Sequence, residues 1–260
     1  MINKIIKISL DAGKKIIEIY NSADFGVEMK SDNSPLTLAD KASHKIIVEG
    51  LKKEFPEVPI LSEEGRDIPF AERKNWKKFW LVDPLDGTKE FIKKNGEFTV
   101  NIALIENNKP ILGVIYAPAY NEKSNQQIIQ STNHSAFAGT LYFGEVGNGA
   151  FKQYSNQAPQ KITVIKKEKN LTAVKSRSHS SEDEEKILEK FGVTDSISVG
   201  SSLKFCMVAE GKAQIYYRHG PTNEWDVGAG HAIAEAAGAT VEGLKYNKEM
   251  ILNGSFLIKA

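Results

Sequence analysis

An apolar run, Trp80-Leu81-Val82, ends abruptly in two carboxylates three positions apart, Asp83 and Asp86, with Gly87 and Thr88 directly behind them. The two acids fit poorly as the continuation of a strand. They fit a strand's end, where Asp-Pro and Asp-Gly turn the backbone and side chains can converge on one point. Gly87 allows close backbone approach, and Thr88-Lys89-Glu90-Phe91-Ile92 can open a helix. Oxygens converging beside a helix N-terminus make a place for a hard cation and a phosphate together.

The same arrangement recurs upstream, where Val58-Pro59-Ile60-Leu61 runs into Ser62-Glu63-Glu64-Gly65. Far downstream, Asn223-Glu224-Trp225-Asp226 precedes a run of small residues closed by Gly238, the usual residue just past a helix end. Asp226 then sits at the positive end of that helix. Each piece alone has an ordinary reading as a turn, a solvated acidic pair or a first-turn helix acid. All three in one chain, in this order, point to a shared site.

Composition narrows the alternatives. With 260 residues, 41% of them hydrophobic, the chain can build one large domain or two closely packed halves. Lys and Arg number 34 against 33 Asp and Glu, so no global field recruits nucleic acid or anionic lipid. The basic clusters Arg73-Lys74, Lys77-Lys78 and Lys166-Lys167 read as solvated faces. Cys206 is the one cysteine, which excludes an intrachain disulfide and fits a reducing compartment. No stretch is apolar enough to span a bilayer. Lysines at 4, 7, 14 and 15 interrupt the N-terminus, which reads as an amphipathic helix with Ile5, Ile6, Ile16 and Ile17 inward rather than as a signal peptide.

Periodicity predicts helices over about residues 2–20 and 37–54 and just after Gly87. It predicts strands at 60, 79–82, 98–106 and 111–117, the last two joined as a hairpin by Asn107-Asn108-Lys109. Further short strands are expected across 137–151. From about residue 169 the pattern becomes α/β, with strands at 171–174, 196–199 and 213–217 alternating with helices at 182–191, 202–210 and 226–237. This shift suggests an N-terminal half over 1–168 and a C-terminal half over 169–260. Residues 120–160, rich in Asn, Gln and Ser, carry no informative motif.

Asp83-Pro84-Leu85-Asp86-Gly87-Thr88, Ser62-Glu63-Glu64 and Trp225-Asp226-Val227-Gly228-Ala229-Gly230 together resemble the signature of the inositol monophosphatase superfamily of metal-dependent, lithium-sensitive phosphatases. The stretches 32–37, 89–104 and 200–206 look most like its CysQ-type 3′(2′),5′-bisphosphate nucleotidase branch. The resemblance implies a mixed α+β and α/β fold, a layered α-β-α-β-α sandwich of the type shared with fructose-1,6-bisphosphatase, with the site between the halves. It implies two to three Mg²⁺ ions. Asp83 would bridge two of them, Glu63 and the Leu85 carbonyl would complete the first site, and Asp86 and Asp226 the second. Glu64 would stand behind Glu63. Asp40 and Thr88, with Glu63, would activate the attacking water.

The substrate implied by that branch is adenosine 3′,5′-bisphosphate, cleaved to AMP and phosphate, with 3′-phosphoadenylyl sulfate as a further candidate and sulfur assimilation as the setting. Glu63, Leu85, Asp86, Gly87, Thr88 and Asp226 would hold the scissile phosphate, and His179, Ser201, Lys204 and Arg218 the rest of the nucleotide. Two rivals stand beside this reading, an inositol monophosphatase and a non-catalytic binder of phosphorylated ligand. The presence of both Asp40 and Thr88 speaks against the second. The expected partner is a small phosphorylated nucleotide, with no nucleic acid and no integral membrane segment. The expected location is cytoplasmic, with peripheral contact at the inner membrane and oligomeric state left open.

Overall fold

The computed structural model describes residues 1–22, 25–30, 34–121, 139–177 and 181–260. His179, the pair Asp32-Asn33 and residues 122–138 of the segment 120–160 lie outside them.

The chain opens with helix α1 (Ile2–Tyr20), a two-residue hairpin of β1 (Glu28–Met29) and β2 (Pro35–Leu36), and helix α2 (Leu38–Glu54). A stripe of Ile5, Ile8, Ala12 and Ile16 buries one face of α1, at the spacing of an amphipathic helix. Ile6 and Ile17 pack at its margin. Strand β3 (Ile60–Ser62), the short α3 (Phe70–Arg73), β4 (Lys78–Asp86), the short α4 (Thr88–Ile92), β5 (Thr99–Glu106), β6 (Lys109–Ala117), β7 (Thr140–Glu145), β8 (Gly149–Tyr154) and β9 (Gln160–Ile162) follow. These seven strands form one sheet in chain order, parallel only between β3 and β4. The turn between β5 and β6 places Asn107 and Asn108 at φ 50° and 60°, the left-handed pair that a tight hairpin needs and that Asn tolerates.

The remainder alternates β10 (Leu171–Ser176), α5 (Glu182–Lys190), β11 (Val193–Val199), α6 (Leu203–Ala209), β12 (Ile215–Arg218), β13 (Thr222–Asn223) and α7 (Glu224–Ala236). It closes with β14 (Thr240–Glu242), β15 (Leu252–Asn253) and β16 (Phe256–Lys259). A second sheet has the order β11-β10-β12-β16-β14. Helices α1 and α2 cover one face of the large sheet, α7 and α6 lie between the two sheets, and α5 covers the outside of the second. The layers are therefore α-β-α-β-α. Three apolar cores fill the spaces between the layers. The middle core draws Leu61 and Phe79 from before residue 169 and Phe205, Tyr216 and Ile258 from after it.

Two details place the site. First, β4 does not stop at Val82. It runs on to Asp86, with a bulge opposite β5, because Asp83 pairs with Asn101 and Asp86 with Thr99. Positions three apart on a regular strand face opposite sides of a sheet. One extra residue restores the same side, so the bulge is what lets both acids look one way. Second, α7 lies against the large sheet at backbone distance. A Cβ at Gly113 of β6 would stand 2.2 Å from the Ala229 carbonyl oxygen, and one at Gly230 would stand 2.3 Å from the Phe205 ring. The small residues of α7 thus bring its N-terminus, with Asp226, down to the end of β4.

Candidate active site

Glu63, Asp83, Leu85, Asp86, Gly87, Thr88 and Asp226 line one cleft of about 460 Å³, together with Ser201, Lys204 and Arg218. Glu63 stands beside Asp83 because the parallel pairing of β3 with β4 carries on for one more bond, Glu63 N–H donating to the Val82 carbonyl at 3.1 Å. Three of the acids are each anchored through one oxygen to a backbone N–H. Asp83 accepts from Leu85 at 3.0 Å, Asp86 from Ser202 at 2.5 Å and Asp226 from Asn223 at 2.8 Å.

This concentration of charge is expensive. Burial, then the charges of Glu63, Asp86 and Asp226, raise the Asp83 carboxyl well above the usual carboxylate range. Asp226 is raised in the same way, by burial first and then by Asp86. Burial pushes Asp86 up to about 6, although Lys204 and the Ser202 N–H pull it down. Burial in turn lowers Lys204, whose Nζ donates to the Ser201 carbonyl at 2.5 Å.

Asp40 does not line the cleft but reaches it through Thr88. It is the third residue of α2, where its Oδ2 accepts from the N–H and hydroxyl of the cap residue Thr37 at 2.7 and 2.5 Å. Its Oδ1 is left for the Thr88 hydroxyl at 3.2 Å. One carboxylate thus both caps a helix and addresses the site. Burial raises Asp40, against the pull of the two Thr37 bonds. Glu64 turns from the cleft to Lys30, which also holds Glu63 Oε1 at 2.8 Å.

Among the described residues, no three His, Cys, Asp or Glu side chains are closed into a finished metal cage. The acids share the cleft without forming a ready-made cage. Like charges a few ångströms apart repel by about 1–4 kcal/mol at effective dielectrics of 80 to 20, and Lys30 draws Glu63 aside. The donor set itself, carboxylates and a carbonyl with each anchored acid keeping an oxygen to offer, is what hard divalent cations take.

Sequence reasoning did not single out Lys30, Ser202, Glu97 or Arg177. Ser202 hydrogen-bonds Asn101 and Thr99 of β5 through its hydroxyl, at 2.7 and 2.8 Å, while its N–H holds Asp86. Glu97 accepts from Gly200 N at 2.8 Å and from Arg177 at 2.6 and 2.7 Å, tying the large sheet to the loop before α6. The glycine and paired serines at 200–202, inside the stretch that resembles the nucleotidase branch, are the local signal there, though they assigned Ser202 no role. Ser201 sits at φ 47°, and its hydroxyl is buried with no partner among the described residues. Both features are uncommon away from functional positions.

A family model described as the inositol monophosphatase family matches residues 1–260. The chain belongs to the inositol monophosphatase family. Phosphatases of this family depend on metal ions, typically Mg²⁺, and the acids gathered here fit that need. Within the family, the chain is 44% identical over 266 residues to the 3′(2′),5′-bisphosphate nucleotidase CysQ of Escherichia coli (strain K12), covering 99% of both chains. It is 46% identical to that of Buchnera aphidicola over 93% of this chain and 84% of the relative. Among solved structures, CysQ from Bacteroides thetaiotaomicron, a bacterial member of the family, superposes with a TM-score of 0.81 at 41% identity, covering 99% of this chain and 96% of that one. Among the described residues no helix is long and apolar enough to cross a membrane.

Proposed function

We propose that the protein is a metal-dependent 3′(2′),5′-bisphosphate nucleotidase that converts adenosine 3′,5′-bisphosphate and water to AMP and inorganic phosphate. The observation that carries this reading is a single cleft lined by both a cluster of carboxylates and the cations Lys89, Lys204 and Arg218. The carboxylates suit metal-assisted cleavage of one phosphate, and the cations suit recognition of a second. Full-length identity of 44% to a curated nucleotidase supports the same substrate class. Inositol monophosphate has a single phosphate and leaves the cations without a counterpart.

Magnitudes say why acids and bases alone do not suffice. Phosphate monoesters are among the slowest substrates to hydrolyse, with enzymatic accelerations up to ~10²¹, whereas a positioned acid or base supplies only ~10²–10⁴. Divalent cations held by Glu63, Asp83, the Leu85 carbonyl, Asp86 and Asp226 would supply the remaining charge stabilisation. The chain's own residues then do the following. Thr88 Oγ and Asp40 Oδ1, already hydrogen-bonded, hold a water against the phosphorus and take its proton. The amides at Gly87 and Thr88 orient the phosphoryl oxygens. The water oxygen bonds to phosphorus as the ester P–O bond breaks, and the departing ribose oxygen is protonated from solvent. Lys204 and Arg218 bind the phosphate that is not cleaved, and His179 and Ser201 complete the nucleotide contacts.

A phosphate-release assay with Mg²⁺ tests this, comparing adenosine 3′,5′-bisphosphate, 3′-phosphoadenylyl sulfate and inositol 1-phosphate. The bisphosphate nucleotide is expected to have the highest kcat/KM. A preference for the inositol ester, or no release from any of the three, would overturn the reading.

A further inference from the structure

Helix α5 begins Ser181-Glu182-Asp183-Glu184, the pattern of a capping box, in which the third helical residue turns its carboxylate back to the cap residue. Ser181 performs its half, its hydroxyl accepting from Glu184 N–H at 3.2 Å. The Glu184 carboxylate instead crosses to the end of β12. There its Oε1 accepts from the His219 N–H at 3.1 Å and faces Arg218 Nη1 at 3.5 Å. Glu184 is only 4% exposed. A carboxylate so buried is unfavourable unless it is paired, and the cation given to it is one that lines the cleft.

Arg218 has competing attractions. The same cleft holds Glu63, Asp83, Asp86 and Asp226. A guanidinium free to move would fall onto those acids, where it would be lost to substrate and would stand in the way of a cation. Tethered from behind by a buried carboxylate, it stays on the β12 side and presents its planar N–H fork, the geometry best suited to a phosphate.

We infer that Glu184 is a positioning residue that sets specificity: it holds Arg218 in place for the uncleaved phosphate of a bisphosphate nucleotide and keeps it off the metal-binding carboxylates. This rests on the function proposed above. Glu184 touches neither the scissile group nor the acids, so its influence falls on binding of the doubly phosphorylated substrate.

The test is a double-mutant cycle with Glu184→Gln and Arg218→Ala, read as KM and kcat on adenosine 3′,5′-bisphosphate and on p-nitrophenyl phosphate with Mg²⁺. Glu184→Gln keeps the size and the acceptor for the His219 N–H but removes the charge. Its KM for the nucleotide is expected to rise about 5- to 10-fold, with kcat within about twofold, and to rise far more than its KM for the single-phosphate ester. On the Arg218→Ala background the same change should add less than about twofold, because a residue that works through Arg218 has nothing left to act on. Glu184→Asp, which keeps the charge on a shorter arm, should give an intermediate KM, and it replaces Glu184→Gln should that variant not fold. Equal KM rises on both substrates, or full additivity with Arg218→Ala, would assign Glu184 a purely structural role and end the proposal. Wild-type protein that turns over the nucleotide while Glu184→Gln leaves its KM unmoved would sink this inference alone. Wild-type protein that does not turn over the nucleotide would sink the proposed function and this inference with it.

Discussion

Asp83 and Asp226 each rest one oxygen on a backbone N–H two to three residues away, Asp86 rests one on the N–H of Ser202 just before α6, and the three share their charge with one another. Lys204 and Arg218, cations of the same cleft, are held differently. Lys204 of α6 donates to a carbonyl three residues back, and Arg218 at the end of β12 faces a carboxylate from another helix, Glu184. The anionic set is crowded and waits for positive charge. The cations already have partners inside the protein, a carbonyl for Lys204 and a carboxylate for Arg218. On the function proposed above, one region is left electrostatically unfinished for a metal to complete, while its neighbour is fixed in place to discriminate among substrates.

The largest expected effect lies in the anionic set. Asp83→Asn or Asp226→Asn keeps the shape of the site but removes a ligand charge. Either should lower kcat by at least about 10²–10³, the loss that follows removal of one preorganised charge-stabilising group, with circular dichroism unchanged. Near-normal turnover in either variant would detach these acids from the chemistry.

The same crowding should appear in stability. With no metal bound, Asp86 titrates in the folded protein near 6 against 3.8 as its reference, and Asp83 and Asp226 are raised with it. Between those values the folded state holds more protons than the unfolded chain. Stability is therefore full at the acidic end of this range and is lost as pH rises through about 4 to 6. The Asp86 contribution is on the order of 2–3 kcal/mol, roughly 5–10 °C in Tm for a chain of this length. Metal-free protein should melt lower at pH 7 than at pH 5, and millimolar Mg²⁺ should restore the loss. A Tm indifferent to both pH and Mg²⁺ would mean that the anionic set is not strained at all.

For the cationic set the change should appear in substrate binding. Lys204→Ala and Arg218→Ala each remove a charge-assisted contact of about 1.5–3 kcal/mol. Each should lower kcat/KM on the bisphosphate nucleotide about 10- to 100-fold, mostly through KM. If kcat fell as steeply as it does in Asp83→Asn, the two sets would be one functional unit and the contrast between them would fail.

The contrast also explains what could be read from the chain alone. The anionic set was legible because the turn and helix-start signals that flank its acids are local, although Asp86 is anchored by the distant Ser202. A strand end, a proline, a glycine and a helix start are written consecutively around Asp83 and Asp86, and Asp226 opens a run of small residues. Most elements were legible because they announce themselves by period, whereas their layering was an expectation drawn from the family resemblance. What was not legible depends on contacts between distant segments. Nothing around Lys30 marks it as the partner of Glu63. The capping-box pattern at Ser181 gave no sign that Glu184 would turn to β12. The bulge in β4 was missed because a strand was expected to end where its apolar run ended. The C-terminal strand Phe256–Lys259, central in the second sheet between β12 and β14, is short enough to pass as a tail.

Ser202 offers the finest test, because it touches both sets. Its N–H holds Asp86, and the helix that begins beside it carries Lys204. Ser202→Ala keeps that N–H but removes the hydroxyl from Asn101 and Thr99, leaving two buried polar groups of β5 short of a partner. The cost should be about 1–2 kcal/mol, or roughly 2–6 °C in Tm for a chain of this length. Because α6 is then less firmly fixed to β5, the half-saturating Mg²⁺ concentration and the nucleotide KM should rise together, each by about two- to threefold. A fall in Tm with both constants unmoved would make Ser202 a stability residue and the two sets independent of their joint. A rise in only one constant would show which set the serine serves.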